Sequence, residues 1–381
     1  MGQAKSAGRI IGLDGVRALA CLWVFFSHIY LIDEGWYEGH GFTGRAWMHH
    51  GFMGVAIFFV LSGFLLSQPF WRRHASHGGP QQSPNLRSYT RRRVARIIPG
   101  YMLALVLPAV INGIITQPFV IKSVAMSTIF VNQLLPITYQ PDWNRPLWSI
   151  SVEMAFYLML PLCWWLVLRF RSLAGAWGTI VGLMALIAVG HWIFLGYAPA
   201  IEAAVGDLTV FNASKQSTLF PAPVAFTHFL FGVLAADLHL RLPYSEAYTR
   251  IYDGLSLLLL ALILALPPIL GVDGIPALHH IKYAWPTYPF LVAALLFTLP
   301  RSNLVGRLVD NGFMRLTARW SFGIYIWQYP VLLWMGGLWV GRLGSRPLEV
   351  AVAGVTALAG CYLIAGVSYR WVELPFIKRF R

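Results

Sequence analysis

Leu13-Asp-Gly-Val-Arg17-Ala-Leu-Ala-Cys-Leu-Trp-Val-Phe-Phe-Ser-His28-Ile-Tyr-Leu-Ile32 is an apolar run broken only by Asp14, Arg17 and His28. A helix of about 20 apolar residues crosses the hydrocarbon core of a bilayer. The run is no cleaved leader, because it holds three polar charges and lacks a small-residue cleavage site. Runs of similar length recur at 51–71, 97–117, 147–168, 174–197, 222–240, 251–270, 283–300, 321–340 and 349–370. The sequence therefore predicts an all-α, polytopic transmembrane bundle of about ten spans, in one domain over 1–381.

Composition agrees. Of 381 residues, 57% are hydrophobic and 12% charged. A soluble domain carries about 25% charged residues, so lipid must serve as solvent for much of this chain. The net charge is +14, which in a soluble protein would point to nucleic acid. Here Lys and Arg cluster at the ends of apolar runs. There is no zinc-finger spacing, separate basic domain or RNA-binding signature, so no nucleic-acid partner is expected.

Basic residues orient the bundle. With ten spans, 22 of the 29 Lys and Arg fall on the side of the N-terminus. By the positive-inside rule both termini are cytoplasmic. Cys21, Cys163 and Cys361 each lie within an apolar run and imply no disulfide framework. Gly2 and Ser6 fit a myristoylation pattern too short to distinguish from chance. Residues 118–146 contain an apolar stretch, Ile121 to Leu135, too short to span; it reads as an interfacial or re-entrant helix. The segment 371–381 is too short for an appended soluble domain.

Ionisable groups inside spans are costly and mark functional sites by default. Arg17 and His28 are eleven residues apart, about 20° from one helix face and about 16 Å along the axis. His28 reads either as a proton carrier near pH 7 or as a core histidine bonded to a neighbouring helix. Glu153 sits in Pro146-Leu-Trp-Ser-Ile-Ser-Val-Glu153, with Ser149 on the same face. Its depth equals that inferred for His28, which predicts one polar chamber holding both; the alternative is a structural carboxylate. Arg91-Arg-Arg-Val-Ala-Arg96 precedes the third span. It reads as a lipid anchor or, through the paired forks of Arg93 and Arg96, as a phosphate site.

These residues also carry a resemblance. Leu13-Asp-Gly-Val-Arg17-Ala-Leu-Ala20 with His28, Gly54 to Phe64, Arg93-Val-Ala-Arg96-Ile-Ile-Pro99, Trp148-Ser149 with Glu153, and Tyr369-Arg-Trp-Val-Glu-Leu-Pro375 occur in the order of motifs in the acyltransferase 3 family. The chain resembles that family of membrane O-acyltransferases over nearly its whole length. One departure stands in Ser321-Phe-Gly-Ile-Tyr325-Ile-Trp-Gln328, where the family often ends in His. Gln cannot titrate, so Gln328 is left a hydrogen-bonding role.

The resemblance implies a bacterial cytoplasmic (inner) membrane enzyme. It implies cytoplasmic acyl-CoA, acetyl-CoA first among the choices, as donor. The acceptor would be a hydroxyl of a sugar, polysaccharide or secondary metabolite. It turns Arg17, Arg93 and Arg96 into donor-binding candidates and His28 into the general base. Glu153 would orient the imidazole, stabilise its charged form or hold the acceptor. Asp14, Trp148, Ser149, Tyr325 and Gln328 would support them. No metal is expected. Direct transfer is favoured, with an acyl-histidine as the alternative.

Trp36, Tyr37, Trp47 and Trp143 would stack on sugars or form an interfacial belt, and loops 33–50 and 198–221 are candidates to recognise the acceptor. A proton-coupled transporter would also use intramembrane His and Glu, but no inverted repeat is visible. A scaffold would leave the burial of Arg17, His28 and Glu153 unexplained.

Overall fold

A computed structural model of the chain describes residues 10–39, 45–76, 85–131, 140–167, 172–205, 221–270 and 284–379. A helix stands at each apolar run: α1 (Leu13–Ser27), α2 (Gly54–Ser76), α3 (Leu86–Ile111), α4 (Trp148–Val167), α5 (Leu173–Val205), α6 (Pro221–Arg241), α7 (Thr249–Leu270), α8 (Thr287–Thr298), α9 (Gly312–Trp339) and α10 (Arg346–Ser368). No strand occurs among the described residues. Seven helices are long and apolar enough to cross a membrane, those containing α2 to α7 and α10. Helices α1 and α8 are shorter, and α9 is diluted by Gln328 and by polar-edged Trp and Tyr.

The centre of the bundle is α2 against α6. Two glycines make that contact. A Cβ on Gly63 would lie 1.9 Å from the Phe229 carbonyl oxygen, and one on Gly232 would lie 1.9 Å from that of Val60. Small residues let helix backbones approach this closely in membranes, where packing rather than the hydrophobic effect drives association. Trp71 Nε1 donates to Val233 O at 2.8 Å and locks the pair further along. Helix α1 packs between α9 and α2, and α9 against α10. The chain enters α1 through Gly12 at φ 88°, a left-handed turn that suits glycine.

The rim is built differently. Leu186 on α5 is 69% exposed and Leu363 on α10 is 71% exposed, each among other bare aliphatic side chains. Such apolar surface is too extensive for water and fits lipid. With seven helices among the described residues long and apolar enough to cross a membrane, the chain is an integral membrane protein.

Local structure corrects several sequence expectations. The first helix ends at Ser27, leaving His28 as its cap before a short 3-10 turn. Helix α3 begins at Leu86, so the arginine run lies inside its first three turns rather than ahead of a span. Segment 33–50 folds as short helices, Glu34–Gly39 and Arg45–His49, rather than an open loop. The short helix after α3 covers Pro118–Thr128. Residues 198–205 continue α5; 206–220, 77–84 and the N-terminal Gly2 and Ser6 lie outside the described residues.

Candidate active site

Two cavities meet at the end of the bundle where α1, α3 and α9 begin. The first is a chamber of about 100 Å³ between α1, α2, α3, α4 and α9. Its polar lining is Arg17, Ser62, Arg93, Arg96, Ser149, Glu153, Tyr157, Ser321 and Tyr325. The second is a wider cleft of about 590 Å³ that also takes in Asp14, Arg92, Arg315, Arg319 and Glu373. Arg17, Arg93, Arg96 and Phe322 belong to both, so the cleft leads into the chamber.

Glu153 is the acidic member of the chamber. Its Oε1 accepts from Tyr157 Oη at 2.6 Å and from Ser62 Oγ at 3.2 Å. Tyr157 is one helical turn on from Glu153, and its ring carries the Arg93 guanidinium at 5.8 Å from the centroid. Arg93 Nε is buried with no hydrogen-bond partner. A buried donor left unpaired costs free energy, so that fork is set to take an anion's oxygen. At the far end, Ser149 Oγ and Tyr325 Oη are bonded at 2.7 Å, and both reach Pro146 O.

His28 is not in this chamber. It lines neither cavity, and its ring lies edge-on to Tyr329, 5.9 Å between centroids, with Tyr30 at 6.2 Å. The sequence predicts one chamber for His28 and Glu153; in the structure Glu153 lines the chamber with Arg17, and His28 lines neither of the two cavities. The cause is the segment before α4. Residues Asp142–Leu147 already dive into the bundle as a 3-10 turn with a kink at Asn144. Asn144 Nδ2 donates to Ala104 O at 3.0 Å and Ile326 O at 2.9 Å, and Trp143 Nε1 donates to Leu105 O at 2.8 Å. Helix α4 thus starts inside the protein, and Glu153 lines the chamber with the arginines.

His28 has one ring nitrogen committed to the backbone. Its Nδ1 lies 2.9 Å from Val24 O. A carbonyl only accepts, so Nδ1 carries the proton and Nε2 presents a lone pair. The ring lies half-buried between two tyrosines.

The remaining expected residues divide. Asp14 lines the cleft beside Arg17. Trp148 packs edge-on to Phe59 at the start of α4. Gln328 is fully buried on α9, and neither amide atom has a hydrogen-bond partner. Trp47 stacks on Trp23, centroids 5.5 Å apart, and takes its indole N–H on a main-chain oxygen. Trp47 and Trp143 are thus committed to packing rather than open to a sugar; the Tyr37 side chain lies outside the described residues.

Sequence reading missed Ser62, Tyr157, Arg315 and Arg319. Tyr157 at i+4 from Glu153, and Arg319 at i+4 from Arg315, carried a same-face signal. Ser62 had none.

A profile described as an acyltransferase domain, acyltransferase 3, matches residues 10–366. The chain belongs to the acyltransferase 3 family. It is 27% identical to the acyltransferase MdmB of Streptomyces mycarofaciens, over 97% of this chain and 92% of that protein. It is 23% identical to the O-acetyltransferase OatA of Staphylococcus aureus, over 97% of this chain but 57% of that protein. This chain therefore spans nearly all of the first relative and little more than half of the second. No solved structure matches. The protein is an acyltransferase. Among the described residues, no group of three or more His, Cys, Asp or Glu could hold a metal ion.

Proposed function

We propose that this acyltransferase moves an acetyl group from cytoplasmic acetyl-CoA to a hydroxyl of a sugar or secondary-metabolite acceptor that approaches from the opposite side of a bacterial inner membrane. The observation that carries the reading is the arginine cleft that narrows into the Arg17–Glu153 chamber. Guanidinium forks match phosphate oxygens in pairs. Arg17, Arg93 and Arg96, at the junction, would hold the donor's pyrophosphate, and the unpaired Arg93 Nε suits that task. The positive bias of one side supports a ten-span, both-termini-in topology. Asp14 on α1 and Ile377 after α10 line one cleft, which fits an even number of crossings.

Reach supports the pairing of cleft and His28. The arm of coenzyme A runs about thirteen bonds from phosphorus to sulfur, or about 16 Å at about 1.25 Å of advance per bond. Arg17 and His28 are about 16 Å apart along α1. A phosphate held by Arg17 would bring the thioester to the level of the imidazole, by way of Ser149 and Tyr325. There Nε2 would accept the acceptor's hydroxyl proton as the oxygen attacks the thioester carbon. The new C–O bond forms, the C–S bond breaks, and the imidazolium returns the proton to the departing thiolate. Glu153, bonded to Tyr157 and Ser62, would keep the chamber's guanidiniums from repelling one another rather than orient His28.

The test is thiol release in proteoliposomes given acetyl-CoA and a panel of hydroxylated acceptors. Release that requires both the protein and an acceptor supports the reading. Solute or proton movement without thiol release overturns it in favour of a transporter.

A further inference from the structure

We propose that Arg315 and Arg319 form a separate subsite for the 3′-phosphate of coenzyme A, so that the enzyme selects its donor by that phosphate. The inference rests on the donor reading above and goes beyond it. The cleft holds six guanidiniums, Arg17, Arg92, Arg93, Arg96, Arg315 and Arg319, against two carboxylates, Asp14 and Glu373. Its formal charge is about four positive. A pyrophosphate accounts for about two negative charges, and a phosphate monoester adds about 1.5 to 2 more. With Glu153 of the adjoining chamber counted as well, a donor with pyrophosphate alone would still leave about one positive charge unmatched.

Position separates the two sets. Arg17, Arg93 and Arg96 touch the chamber as well as the cleft, whereas Arg92, Arg315 and Arg319 line the cleft only. In coenzyme A the pyrophosphate adjoins the arm that enters the chamber, and the 3′-phosphate lies beyond it on the ribose. The more distant guanidiniums therefore meet the more distant phosphate. Of these, Arg92 donates to Ser88 Oγ at 2.6 Å on its own helix. Arg315 donates to the main-chain oxygen of Asp310 at 2.8 Å, which leaves its charge unmatched. Arg319 has no ion pair among the described residues. The two lie one turn apart on one face of α9. Arg315 also sits at the end of the first turn, where the helix dipole disfavours a cation. Helix stability does not explain them; an anion in the cleft does.

The experiment uses the full chain in neutral detergent and compares acetyl-CoA with 3′-dephospho-acetyl-CoA. The wild type should show a donor KM at least about tenfold higher for the dephospho form, as loss of charge-assisted bonds implies. In Arg315→Ala with Arg319→Ala the ratio of the two KM values should collapse toward one. In Arg315→Lys with Arg319→Lys part of the ratio should survive, which guards against a variant that has merely misfolded. Equal KM values in the wild type would overturn the subsite while leaving the donor reading intact. So would a double-alanine variant that raises both KM values alike, which is the behaviour of a diffuse positive field. Added anionic phosphatidylglycerol micelles that raise both KM values equally, with no discrimination between donors, would assign the arginines to lipid headgroups instead. Failure of the wild type to use either donor would overturn the donor reading itself.

Discussion

Replacing His28 with Ala tests the chemical step more sharply than any other single change. A positioned general base contributes on the order of 100- to 10,000-fold, or about 3–5 kcal/mol of barrier. The structural cost of the change is small. The His28 side chain makes one hydrogen bond, from Nδ1 to Val24 O at 2.9 Å, and that carbonyl also accepts from Ser27 Oγ at 2.7 Å. The net stability of such a bond is about 0.5–1.5 kcal/mol, and its acceptor remains satisfied. His28→Ala should therefore insert, purify and melt close to wild type while kcat falls by that 100- to 10,000-fold. Donor KM should stay put, because the guanidiniums lie about 16 Å away along α1. Thiol release under saturating acetyl-CoA, with thermal melting in detergent alongside, measures both. A kcat within tenfold of wild type would refute the assignment of the base. So would a loss expressed in donor KM alone.

Arg93→Ala combined with Arg96→Ala should raise donor KM by about 100-fold or more, since a hydrogen bond to a charged group is worth about 1.5–3 kcal/mol; a change in acceptor affinity at constant donor KM would contradict the phosphate role. Gly232→Ala should lower the melting temperature and the yield, because its Cβ would lie 1.9 Å from Val60 O and overpacking costs about 1–3 kcal/mol; unchanged melting would show that α2 and α6 can part freely. Arg250→Cys and Arg342→Cys should react with an impermeant maleimide from opposite faces of sealed vesicles, since both positions are exposed and the native Cys21, Cys163 and Cys361 are buried. Labelling of both from one face would break the ten-span count.

Much of the fold was legible because the solvent is lipid. A span must satisfy its backbone internally, so apolar length alone located every long helix from α1 to α10. Lateral order was also legible on α4: Ser149 and Glu153 share a face by period, and both line the chamber. Depth was harder to read. Assigning Glu153 the level of His28 assumed that α4 starts at the membrane surface. The hydrogen bonds of Asn144 to α3 and α9, which pull that start inward, join residues 40 and 182 positions apart. No local pattern announces contacts of that range. The same limit hid Ser62, whose value lies in being opposite Glu153 on another helix.

The corrected depth strengthens the division of labour along α1. Had Glu153 lain beside His28, the acid would have competed with the hydroxyl for the imidazole and drawn the arginines' charge away from the donor. Instead the carboxylate sits at the guanidinium end, where one negative charge among Arg17, Arg93 and Arg96 lowers their mutual repulsion without cancelling their pull on phosphate. Between that end and His28 stands the Ser149–Tyr325 hydrogen bond, at 2.7 Å. On the proposed route a slender arm would displace or skirt that pair to reach the imidazole, leaving a chamber walled by Phe58, Phe59 and Phe322. On the proposed donor reading, distance and this polar latch would let a thioester cross toward the acceptor while the charged part of its carrier stays on the arginine side.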